Sequence, residues 1–284
     1  MNRNNCGWLG IFIIPGLLFL MGCAASINKP RIQAVKSAAV VLFTVPRQIE
    51  FRDDSKESRQ TILQALAQAV TSGDGARAAT LSHQTFTETL RKQALPFNVL
   101  TVAETRGVPA FSALYRPPET TKEEKEEESE PVFKLYFEIG PAPGVHSGAA
   151  PDGFNSYGLV QNWSSWNPLV GSEEEAKYIL AVIKALNVDA IIAIADPGYS
   201  FVCDICSGGN TGTASTGSRF MGAMVDREGE VILKMQGMFS STDEEGAMLA
   251  GAVNPMAHDE LFTEHGRKMA VLFANSFHKA MKKK

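Results

Sequence analysis

Two stretches of this chain, Lys36 to Val45 (Lys-Ser-Ala-Ala-Val-Val-Leu-Phe-Thr-Val) and Ala190 to Ala195 (Ala-Ile-Ile-Ala-Ile-Ala), are apolar at consecutive positions rather than at alternate ones. A strand sends successive side chains to opposite faces of its sheet, so runs like these need apolar cover on both faces. That requirement argues against a sheet with one wet face and calls for helices on either side. Pro46 ends the first run, and Asp196-Pro197-Gly198 ends the second, lengths suited to strands rather than helices.

Helical segments to supply the cover are legible. Apolar residues recur at helical spacing over 55–70 (Ile62, Leu63, Leu66, Ala69, Val70) and over 76–93 (Leu81, Phe86, Leu90), the latter stopped by Pro96. Ser172-Glu-Glu-Glu175 supplies a serine cap and an acidic first turn for a helix ending at Leu186. The last helix runs from Pro255 or Asp259 to Met281, with Leu261, Met269, Leu272, Phe273 and Phe277 facing inward. Further strands are expected over 97–102 and 132–139, and 219–225 with 231–239 flank a hairpin turn at Asp226-Arg-Glu-Gly-Glu230. The order of elements describes an α/β fold: a mixed β-sheet of about five to six strands packed by helices, in a single domain over 37–284 with long irregular loops. Those loops are the charged stretch 117–131, which has no apolar residue to bury, and the Gly- and aromatic-rich stretch 140–171.

The N-terminus carries an address. Arg3 gives a positive start, Trp8 to Met21 form an apolar run of about 14 residues, and small residues follow at Gly22-Cys23-Ala24-Ala25-Ser26. The run is shorter than the roughly 20 residues a helix needs to span a bilayer, and Pro15-Gly16 interrupts it. Leu20-Met21-Gly22-Cys23 resembles the lipobox of bacterial lipoprotein precursors. The resemblance implies removal of residues 1–22, a diacylglycerol thioether and an amide-linked acyl chain on Cys23, and anchoring to a membrane without a polypeptide span. Ala24 after the cysteine then implies the outer membrane, with the domain in the periplasm. Residues 23–36 are expected to form a lipidated polar tether. The mature domain, through the helix ending at Leu186, the turn Val188-Asp189-Ala190, the strand Ile191 to Ala195, the hairpin and the closing helix, is similar to periplasmic α/β lipoproteins of the curli secretion subunit type and to the N-terminal domain of the Tol translocation protein. No motif of those families matches, so no site residue is carried over.

Chemistry is harder to find. With 27 Lys+Arg against 31 Asp+Glu, the net charge is −4, which leaves no basic footprint for nucleic acid. Gly-x-Ser-x-Gly, His-Glu-x-x-His and Walker loops are absent from the sequence, and neither a cofactor nor a metal is expected. Cys203 and Cys206, beside the Gly/Thr-rich stretch Ser207 to Gly217, are read as a loop disulfide; redox chemistry, a metal and free thiols are the alternatives. His258 and His265 share a face of the last helix at a spacing of seven, wider than a metal pair prefers, and are read as solvated or capping. Asp196, at the carboxyl end of the 190–195 strand, is the best candidate for a ligand site, set against a plain role in opening the Pro-Gly turn. Tyr157, Trp163 and Trp166, with Tyr199 and Phe201, are read as an exposed contact surface for a cell-envelope protein partner. The expected function is a membrane-anchored, non-enzymatic binding or assembly module; the alternative is a cell-envelope enzyme using Asp196 and the Cys203/Cys206 loop.

Overall fold

The computed structural model describes residues 25–52, 75–115, 145–146, 148–155, 159–160, 173–207, 211–249 and 252–283. In chain order these form β1 (Ala25–Ile27), α1 (Lys29–Ala34), β2 (Ser37–Pro46), β3 (Glu50–Arg52), α2 (Gly75–Arg91), β4 (Asn98–Val99), α3 (Val102–Arg106), α4 (Pro109–Ser112), β5 (Val145–His146), β6 (Gly148–Ala149), β7 (Leu159–Val160) and α5 (Glu173–Leu186). The C-terminal part continues with β8 (Ala190–Ala195), β9 (Ser200–Ser207), β10 (Thr211–Asp226), β11 (Val231–Phe239), β12 (Gly246–Leu249), β13 (Ala252–Val253), a 3-10 turn (Pro255–Ala257) and α6 (His258–Lys282). The segment read as a signal, with Cys23, the helix expected over 55–70, the acidic stretch 117–131, the strand expected over 132–139, and Tyr157, Trp163 and Trp166 lie outside the described residues.

The two doubly apolar runs lie side by side at the centre, as parallel strands β2 and β8. The sheet runs β1-β11-β10-β8-β2-β4, with β4 also parallel to β2 and the other steps of this path antiparallel, so it is a mixed sheet. Every residue of β8 is buried, and its faces divide cleanly. Ile192 and Ile194 face a core built by Phe86 and Leu90 of α2 with Phe262, Met269, Phe273 and Phe277 of α6. Ile191 and Ala193 face Ile179, Val182 and Ile183 of α5 and Phe111 of α4. Asn187, with φ of +50°, takes the left-handed residue that stops α5 and turns the chain into β8.

The strand count exceeds the five to six expected, because β1, β3, β6, β9, β12 and β13 also join the sheet, and two stretches read as loop and tether contribute to it. β10 begins at Thr211, inside the Gly/Thr-rich stretch, and its first part pairs with β9 and β12 while its second part pairs with β8 and β11. Ala214, Ser215 and Thr216 are buried there, so small and β-branched residues that suggested a turn are side chains fitted between strands. The described part of the supposed tether, from Ala25 on, is ordered as well. β1 pairs antiparallel with β11, Ala25 opposite Met235 and Ile27 opposite Leu233, and α1 follows with Asn28 as its cap and Ile32 fully buried. The apolar Ile27, Ile32 and Val35 supply burial that a solvated linker would not need.

Helices α2 and α6 pack closely because Gly266 lets them. A Cβ there would stand 2.2 Å from the Ser82 carbonyl oxygen, and backbone cannot swing aside. Gly266→Ala should therefore destabilise the domain by about 3 kcal/mol, the upper end for overpacking, measured as a lowered urea midpoint with unchanged slope.

Candidate functional site

Asp196 continues the β8 ladder by one residue, its N–H donating to Thr44 O at 2.9 Å, before Pro197 ends the strand. Its carboxylate is wholly buried and has four donors. Oδ1 accepts the backbone N–H groups of Gly198 and Arg219, both at 3.1 Å. Oδ2 accepts the Ser218 hydroxyl at 2.5 Å and Nε2–H of His265 at 3.0 Å. One side chain thus joins the end of β8, the turn into β9, the middle of β10 and helix α6.

His265 extends the network. It too is fully buried; burial lowers its pKa, opposed by the hydrogen bond and charge of Asp196, so the ring is neutral at ordinary pH. With Nε2–H given to Asp196, Nδ1 accepts from the Thr216 hydroxyl at 3.0 Å. The Thr216 N–H in turn donates to Thr242 Oγ1 at 3.0 Å. Tyr199 stacks flat on the imidazole, ring centroids 3.5 Å apart and planes within 9°, and Phe239 meets it edge-on at 5.0 Å. The Tyr199 hydroxyl lies 3.3 Å from Ser82 Oγ, which donates to Phe262 O across the α2–α6 contact.

Threonine hydroxyl, imidazole and carboxylate stand in line, the order of a nucleophile with its base and orienting acid. Asp196, His265 and Thr216 are nevertheless each 0% exposed, and Tyr199 covers the ring. In this conformation the line moves no substrate; it holds four elements together.

A second buried histidine has a related task. Successive outward carbonyls of β2 at Lys36 and Ala38 accept from Asn98 and Leu100 around β4. The next on that side, Val40, has no β4 residue opposite it, since the chain has turned toward α3, and the Nε2–H of His83 on α2 takes the strand's place at 2.9 Å. Phe43 and Phe154 enclose the ring. Burial pushes the His83 pKa down to about 4, opposed by the Val40 hydrogen bond and assisted by Arg106.

The predicted site residues separate under this geometry. Asp196 opens the Pro-Gly turn and has every lone pair engaged internally. Tyr199 and Phe201, expected on an exposed contact surface, are buried at 2% and 1% because they pack against His265, His258 and Phe262. His258 and His265, expected as solvated or capping, are core residues. Cys203 and Cys206 stand on strand β9 rather than in a loop, paired in register with Ala214 and Gly212; their side chains lie outside the described residues, as do Tyr157, Trp163 and Trp166. Among the described residues no cluster of three or more His, Cys, Asp or Glu is placed to hold a metal ion. Sequence reading missed the parts played by His265, Thr216 and Ser218. His265 could have been found: it lies four residues after Leu261 and four before Met269, on the apolar stripe of the last helix. Comparison of the sequence with protein-family models and with curated proteins finds no match in either.

Two outcomes test this account. Asp196→Ala leaves four donors without an acceptor and should cost about 3 kcal/mol or more in urea denaturation, whereas Thr216→Val, which removes one neutral hydrogen bond, should cost about 1 kcal/mol. The pH dependence follows from His83. Its pKa is lower in the folded state, so the unfolded chain binds more protons between the ordinary 6.5 and about 4. The stabilisation is full above 6.5 and lost as pH falls through that window, about 3 kcal/mol in all, with His265 adding in the same direction. Stability measured from pH 7 to pH 4 should fall by that amount, and His83→Gln should flatten the curve.

Proposed function

We propose that the protein is a lipid-anchored component of the bacterial cell envelope, held by Cys23 in the outer membrane, whose periplasmic domain is a non-enzymatic module for binding or assembly with another envelope protein. The observation that carries this reading is Leu20-Met21-Gly22-Cys23 at the end of an apolar run too short to span a bilayer. Two acyl chains or more suffice for stable attachment. No described helix is long and apolar enough to cross a membrane. The non-enzymatic part draws support from Asp196, the best candidate for a ligand site in the sequence and the residue on which the enzyme alternative rests, whose carboxylate is saturated by internal donors.

A second reading, an envelope enzyme built on Asp196, draws on the line Thr216–His265–Asp196. It requires Tyr199 to leave the imidazole. The two readings part on Thr216→Val: loss of activity in a variant that stays folded favours the enzyme, and full function favours the binding module.

Mass spectrometry of the mature N-terminus should find a diacylglycerol thioether on Cys23. Cys23→Ser should move the protein out of the membrane fraction and come close to a null phenotype, with crosslinking in intact cells losing the attached partner. Full complementation by the untethered form would overturn anchoring as part of the function.

A further inference from the structure

Where β1, the first turn of α1, the start of β11 and the last turn of α6 meet, the surface forms an open depression of about 820 Å³. Lys29, Lys234 and Lys283 line it, with Ser26, Asn28 and Ile27, and its lining has no acidic side chain. The Lys29 ammonium donates to the backbone oxygen of Lys283, tying α1 to the end of α6. The acidic groups nearest in sequence to this wall are Asp226, Glu228 and Glu230; Arg31 pairs with the first two, and the charge of Glu230 also acts on Arg31. Lys279 and Lys282, in the last turn of α6, add to the positive field on the same end of the helix.

The position of this basic hollow is fixed by pairing. Ser26 stands opposite Lys234 in the β1–β11 ladder, and Ala25 opposite Met235. Cys23 precedes Ala25 by two residues, which span at most about 7 Å. An acylated Cys23 is therefore tied to the strand that lines the hollow by two residues of chain, which keeps the hollow within about 7 Å of chain reach of the anchor. Each lysine held at an anionic bilayer surface strengthens the attraction about fivefold, within a Debye length.

We propose that this depression seats the phosphate headgroup of an anionic phospholipid of the membrane that holds Cys23, so that the anchor and the lysines together set one orientation of the domain on the bilayer. The proposal rests on the lipid-anchor reading above. The mature product that begins at Cys23, reconstituted in vesicles of phosphatidylcholine with or without phosphatidylglycerol, is treated with an amine-specific reagent, and modification is read lysine by lysine by mass spectrometry. Lys29, Lys234 and Lys283 should react about fivefold more slowly when phosphatidylglycerol is present, Lys184 and Lys268 should not change, and added salt should abolish the difference. In Lys234→Gln combined with Lys283→Gln, Lys29 should return to its phosphatidylcholine rate. Equal rates in both vesicles overturn the proposal. Equal protection by inorganic phosphate in phosphatidylcholine vesicles overturns the lipid as the source and leaves a free-anion site. The intact mass of the same sample reports acylation separately: an unmodified Cys23 with protection retained sinks the anchor and keeps the headgroup site.

Discussion

A carboxylate taken wholly out of water is stable only when its lone pairs are met, and Asp196 meets that condition by drawing its four donors from three separate places in the fold. Two donors are backbone N–H groups, whose positions depend on the course of the chain and not on a rotamer. The turn after β8, the crossing of β10 and the seating of α6 are therefore mutually dependent. Displace any one of them and a buried charge loses part of its solvation. The stacking of Tyr199 on His265 adds an apolar lid over the same point, so polar and aromatic contacts close the junction together.

The two buried histidines show how one residue type completes a backbone that the sheet leaves unfinished. His83 supplies a donor where β4 is too short to reach Val40, and His265 supplies one where Asp196 extends past its strand. Both are held neutral by burial, and in that form each presents a single N–H to a single acceptor. Protonation would place a second donor and a positive charge against Phe154 and Phe43 in one case, and against Thr216 and Tyr199 in the other.

Much of this architecture was legible in the sequence where burial leaves a pattern. Ala190 to Ala195 reads as a central strand and is β8 to the residue; the helices over 173–186 and 258–282 and the hairpin of β10 with β11 follow from capping residues and apolar periods. What was not legible has a common cause. Thr211 to Gly217 carries the composition of a turn, and only its pairing with β9, distant from any local signal, makes it a strand. Ala25 to Ala34 looks polar because its burial is concentrated in a few side chains. The parts played by His265, Thr216 and Ser218 depend on pairings across 22, 49 and 69 residues of chain, information that local spacing does not hold.

The pairing of β1 with β11 has a consequence for how the chain reaches its native state. Strand β1 finds its partner only after roughly two hundred residues of intervening chain, and β2 likewise waits for β8. Contacts of such sequence separation form late, because the entropy of closing the intervening loop must be met before the pairing rewards it. The N-terminal strand is thus a clasp fastened at the end of folding. Until it closes, the Leu233 to Met235 stretch of β11 is an open sheet edge, and an unfinished molecule would offer that edge to its neighbours.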